Sequence, residues 1–126
     1  METKGKVNVL LVDDDDEILS TLGKLIESRG WKCFKAPSGE IAIDSFKLNN
    51  IDAVILDLNL PAIDGFKVLA QMKSLKPNVP VIILTGVGYD KEQVNKALKL
   101  GASGYIGKAM PIIDTISTIQ RVLGKK

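Results

Sequence analysis

VNVLLVDDDD, Val7 to Asp16, joins a short apolar run directly to a block of acid. Apart from Asn8, the residues before Asp13 are valine and leucine. A run this short and this aliphatic reads as a strand buried on both faces of a parallel sheet. Four further runs follow: KCFKA around Phe34, DAVILD (Asp52 to Asp57), PVIILT (Pro80 to Thr85) and SGYIGK (Ser103 to Lys108). Amphipathic segments separate them. Ile18, Leu22, Leu25 and Arg29 mark one helical face, with Leu19 and Ile26 beside it. Val68, Leu69, Met72 and Leu75 mark another, and Ile112, Ile116, Ile119 and Leu123 a third.

Ser38 and Asp64 are placed to cap helix N-termini, and Gly30, Gly101 and Gly124 to end helices. Strand and helix thus alternate as (βα)5. Right-handed crossovers then give an open, doubly wound α/β sheet with helices on both faces, for which the flavodoxin-like strand order 2-1-3-4-5 is expected. The helix around Val94, Ala97 and Leu98 is the poorest in apolar residues and is expected to be the least firmly docked.

The 126 residues suit one domain, expected at 7–124, between a polar tail (1–6) and a basic end (125–126). A net charge of +2 argues for neither nucleic acid nor an anionic membrane as partner. No run approaches the roughly 18 apolar residues of a membrane span, and the start has no signal-peptide pattern. One cysteine, Cys33, leaves no internal disulfide, so a cytoplasmic location is expected. Cys33 itself reads as a small core residue. The chain has no histidine, which removes Ser-His-Asp and Cys-His nucleophiles and histidine zinc sites. Chemistry is left to carboxylates, hydroxyls, amines and a hard metal.

In such sheets ligands bind beyond the carboxyl ends of the strands, where the strand order reverses. Here that point lies between the first and third strands, which end in Asp13-Asp14 and in Asp57. Carboxylates crowded together repel unless protonated or bridged by a cation. Hard oxygen ligands with room for water suit Mg2+, with Mn2+ as a substitute. Asp15, Asp16 and Glu17 read instead as the acidic start of a helix. An EF-hand fails, because Ile18 takes the place of its turn glycine and Lys24 that of its bidentate acid. A dinucleotide site fails too, because the turn after the first strand carries acid rather than glycine. Thr85 and Lys108 end the fourth and fifth strands, a hydroxyl and a cation suited to the oxygens of an acyl phosphate.

VLLVDDDDEIL, DAVILDLNLPAIDGFKVL, VIILTG and ALKLGASGYIGKAMP, in this order and spacing, resemble the receiver domain of two-component response regulators. The likeness runs from Val7 to Leu123. It implies that Asp57 is the phosphoacceptor, and that Asp14, Asp57 and the main-chain carbonyl of Asn59 ligate Mg2+, with Asp13 assisting through water. It implies that Lys108 pairs with the phosphoryl oxygens, that Thr85 moves to hydrogen-bond them, and that Tyr105 turns inward in response. The implied donor is a histidine kinase or phosphotransfer protein. The domain would catalyse only its own phosphorylation and slow dephosphorylation, and would control a downstream protein or an output domain, as a monomer or a phosphorylation-dependent dimer. It is expected to bind neither nucleic acid nor membrane. The 126 residues leave no room for an output module after the last helix, so the chain is expected to be either a stand-alone receiver or a piece of a longer regulator.

Two positions depart from the family pattern. Ala109 stands where the family usually has proline, so the Lys108–Ala109 bond is expected to be trans with a shifted loop, or cis and strained, with the posture of Lys108 depending on it. Val87 offers no polar group to orient a hydrolytic water, which predicts a long-lived phosphoryl group. The rivals are a haloacid-dehalogenase-type phosphatase, with Asp13 as nucleophile and Asp13-x-Asp15 as its signature, and a non-phosphorylated interaction module.

Overall fold

Each of the five apolar runs forms a strand, and each amphipathic segment a helix. In chain order these are β1 (Asn8–Val12), α1 (Asp16–Ser28), β2 (Lys32–Ala36), α2 (Gly39–Leu48), β3 (Ala53–Asp57), α3 (Gly65–Leu75), β4 (Val81–Thr85), α4 (Lys91–Lys99), β5 (Gly104–Gly107) and α5 (Ile112–Leu123). They are seen in a computed structural model that describes residues 7–60, 63–86, 91–108 and 112–123. The tail at 1–6, Gly124 and the basic end at 125–126 lie outside these residues, as do Val87 and Ala109, so the expectations at those positions rest on sequence.

The strands form one parallel sheet in the order β2-β1-β3-β4-β5, as expected. Side chains alternate across it. Leu10, Val12, Val54, Leu56, Val81 and Ile83 face α2, α3 and α4, while Val9, Leu11, Ile55, Ile82, Leu84 and Ile106 face α1 and α5. β3 and β4 are buried throughout, which is why they read as unbroken aliphatic runs. Burial of one such Leu or Ile side chain stabilises the fold by about 1.5–3 kcal/mol.

Asp15 caps α1, its Oδ1 accepting from the N–H groups of Glu17 (2.9 Å) and Ile18 (3.4 Å). Ser38 Oγ accepts from Ile41 N at 3.2 Å and Asp64 Oδ1 from Phe66 N at 2.9 Å. Gly30 and Gly101 end their helices at φ of 86° and 110°, backbone that favours glycine.

Three helical faces differ from their sequence reading. α1 buries Leu19, Gly23 and Ile26, leaving Ile18, Leu22 and Leu25 half-buried. A Cβ on Gly23 would come 2.6 Å from Lys35 Cε, so this glycine lets α1 lie close to the β2 lysine stem. In α3, Leu75 is exposed whereas Val68, Leu69 and Met72 are buried. In α5 the buried side includes Thr115 and Thr118 beside Ile116 and Ile119. Thr118 Oγ1 donates to the Asp114 carbonyl at 2.9 Å, which allows its burial. α4 buries only Val94 and Ala97 of its nine residues, in keeping with the expected weak docking.

Candidate functional site

Strand register brings the candidate residues to one edge of the sheet. Val12 pairs with Leu56, Asp57 with Leu84 and Thr85 with Gly107. The next residue after β1 is Asp13 and the next after β5 is Lys108. The chain crosses from one side of β1 to the other between β2 and β3, so this edge is also where the strand order reverses.

Asp13, Asp14 and Asp57 each offer one carboxylate oxygen, all within 4.8 Å of one another. Asp13 is 0% exposed and Asp57 3%, whereas Asp14 is open to solvent. Lys108 Nζ lies 3.0 Å from Asp13 Oδ2 and 3.2 Å from Asp57 Oδ2. Only the second contact has hydrogen-bond geometry. The Lys108 side chain therefore reaches the acids, and the displaced posture considered on account of Ala109 is absent.

Backbone N–H groups hold the other oxygens. Asp15 N donates to Asp13 Oδ1 and Asn59 N to Asp57 Oδ1, both at 2.9 Å. These two donors were not read from sequence. Every non-proline residue carries such a group, so only the loop geometry reveals which ones turn inward. Asp13 Oδ2 remains buried without a hydrogen bond. A buried carboxylate oxygen that makes an ion pair but no hydrogen bond, beside two other carboxylates, fits a divalent, oxygen-seeking cation such as Mg2+.

The electrostatics show the same crowding. Burial pushes the Asp13 carboxyl above its usual value, and the Asp57 charge adds to this against the pull of Asp15 N–H and Lys108. For Lys108, burial acts downward, but Asp13 and Asp57 outweigh it and hold the ammonium above its usual value. A positive charge is thus kept beside the acids.

Thr85 is 8% exposed, and its Oγ1 donates to the Ile106 carbonyl at 3.3 Å. Tyr105 is 41% exposed on β5. Asn59 is exposed, two residues beyond Asp57. Asp15 caps α1 and stands apart from the acid cluster, so the dehalogenase-type pairing of Asp13 with Asp15 finds no support in the geometry.

A family model described as the response regulator receiver domain matches residues 9–120. The chain belongs to this family. Receiver domains are phosphoacceptor switches of two-component signalling, not enzymes that turn over a separate substrate. The cell cycle response regulator CtrA of Brucella ovis is 31% identical over 117 residues, which is 93% of this chain and 50% of that protein. The chain thus spans about half the length of the curated relatives it matches. The crystal structure of a response regulator receiver domain protein from Clostridium thermocellum superposes with a TM-score of 0.87 at 31% identity, covering 94% of this chain and 95% of that one. A CheY-like receiver domain protein from Methanospirillum hungatei JF-1 gives 0.90 at 25% identity, covering 96% of each chain. Among the described residues no helix is long and apolar enough to cross a membrane.

Proposed function

We propose that Asp57 accepts a phosphoryl group from the phosphohistidine of a histidine kinase or phosphotransfer protein, and that the aspartyl phosphate switches this domain. The observation that carries the reading is the set of Asp13, Asp14 and Asp57 carboxylates within 4.8 Å of one another, beside the Lys108 ammonium. Asp14, Asp57 and the Asn59 carbonyl would hold Mg2+ or Mn2+, with Asp13 assisting through water. When bound, the ion supplies positive charge against the phosphoryl oxygens.

The chain's own groups account for the remaining steps. A carboxylate oxygen of Asp57 attacks phosphorus. The new P–O bond forms as the P–N bond of the donor breaks, and its electron pair stays on the imidazole nitrogen. Lys108 follows the charge from the carboxylate to the phosphoryl oxygens. Thr85 gives up the Ile106 carbonyl for a phosphoryl oxygen, and Tyr105 turns inward. Water later attacks phosphorus, releasing inorganic phosphate and restoring the carboxylate. The phosphorylated domain acts on a downstream protein or an output domain, in the cytoplasm, as a monomer or a phosphorylation-dependent dimer, without contacting nucleic acid or membrane itself.

Incubation with Mg2+ and acetyl phosphate tests this. Intact-mass measurement should show a gain of one phosphoryl group, lost in EDTA and in Asp57→Asn. A wild-type chain that gains nothing would sink the reading in favour of an inert interaction module.

A further inference from the structure

We propose that Gly65 is a positioning residue for Asp57, acting through the single peptide unit between Leu58 and Asn59. This rests on the reading of Asp57 as acceptor and extends it to a residue outside the acid cluster.

Gly65 is the buried first residue of α3. Its N–H donates to the Leu58 carbonyl at 3.2 Å. The N–H of that same peptide unit, Asn59 N, donates to Asp57 Oδ1 at 2.9 Å. One rigid, planar amide is therefore held by α3 at its oxygen and holds the acceptor carboxylate at its nitrogen. Tilting the plane at one end misdirects the other.

The space around Gly65 makes this contact exclusive to glycine. A Cβ there would fall 2.5 Å from Leu58 Cα, 2.5 Å from Leu58 O and 2.7 Å from Leu58 C. All three atoms are backbone, so no rotamer change relieves the clash. Either α3 or the Leu58–Asn59 peptide has to move, and the peptide carries the donor to Asp57. Gly39 offers a contrast. A Cβ there would run into Ile63 Cγ2 and come 2.9 Å from Val68 Cγ2, which are side-chain atoms that do not hold the acceptor. Both substitutions disturb the packing of α3, but only one reaches Asp57.

The test compares Gly65→Ala with Gly39→Ala in the full chain. Gly65→Ala should lower the rate constant for phosphorylation at saturating acetyl phosphate about tenfold to a hundredfold, as expected for a misplaced reacting group. The donor KM should stay within about twofold. In 15N-labelled protein the Asn59 amide proton should move upfield, since its bond to the carboxylate is weakened. Gly39→Ala should lower Tm yet keep the wild-type rate and the Asn59 resonance. The proposal is overturned if Gly65→Ala keeps the wild-type rate or the Asn59 shift, or if Gly39→Ala slows phosphorylation equally. Should Gly65→Ala not fold, the wild-type protein decides. Scalar couplings across the hydrogen bonds, from Gly65 N to Leu58 C′ and from Asn59 N to Asp57 Cγ, should both be present, and the loss of either overturns the claim. A wild-type chain that takes no phosphoryl group defeats the acceptor reading, and those couplings then judge the positioning claim by themselves.

Discussion

At Asp13 one carboxylate oxygen accepts the Asp15 N–H, while the other lies buried against Lys108 without a hydrogen bond. Burial outweighs the attractive contacts and favours the neutral carboxyl. Metal-free protein should therefore be strained at this residue. Asp13→Asn is expected to stabilise it by about 1 kcal/mol, a few degrees in Tm, by removing a buried charge that the Asp57 carboxylate repels. Calorimetry in EDTA checks this, and a lower Tm for the variant would count against it. With Mg2+ the order should reverse. Wild type should gain by mass action, about 2.7 kcal/mol at a hundredfold excess over Kd, and Asp13→Asn should gain less.

Cys33 shows the opposite temperament, a thiol made inert by its surroundings. Burial pushes it from 9.0 to about 11. Because the folded value is raised, the stability linked to the neutral thiol is fully present below pH 9 and is lost as pH rises towards 11. Alkylation by iodoacetamide at pH 8 should be much slower in folded than in denatured protein, and equal rates would refute the burial. The sequence reading made it a small core residue, whereas it is half-buried, packed against the core on the α1 and α5 side of the sheet.

Among the helices, α4 buries the fewest residues, Val94 and Ala97. Lys96 adds a cation–π contact, 4.3 Å from the Phe66 ring of α3, of the kind worth about 0.5–1 kcal/mol at exposed sites. Elements with few buried contacts open most readily. Amide exchange should be faster in α4 than in α3, and beryllofluoride as phosphate analogue should change it in α4 and around Tyr105 by shifting populations. Identical exchange with and without the analogue would contradict the switch. The weakness of α4 was legible in its apolar spacing. The face of α1 was not, because Gly23 has no side chain to mark it as a buried position, and it is buried where it admits the Lys35 stem. Thr115 and Thr118 in α5 were missed for a related reason. A threonine that bonds its hydroxyl to a carbonyl one turn back, as Thr118 does to Asp114, can be buried, and apolar periodicity alone does not say which will be.

For the molecule as a whole, the alternation of aliphatic runs with amphipathic segments was enough to read the parallel sheet, and the flavodoxin-like order expected for it is the one observed. The strand-end residues Asp13, Asp57, Thr85 and Lys108 follow from that order, since parallel strands in register deliver their ends to one edge. What escaped is everything set by loops. Asn59 N–H, Asp15 N–H and Gly65 N–H act through backbone groups that carry no residue signature. The posture of Lys108 also needed the structure, because Ala109 left its direction open in the sequence. Its Nζ now lies between the two buried aspartates.

The most direct test of the account is the location of the phosphoryl group. After reaction with acetyl phosphate and Mg2+, borohydride reduction of the acyl phosphate followed by peptide mass mapping identifies the residue that carried it. The account predicts homoserine at Asp57 and nowhere else. Modification at Asp13, or at neither aspartate, would contradict it.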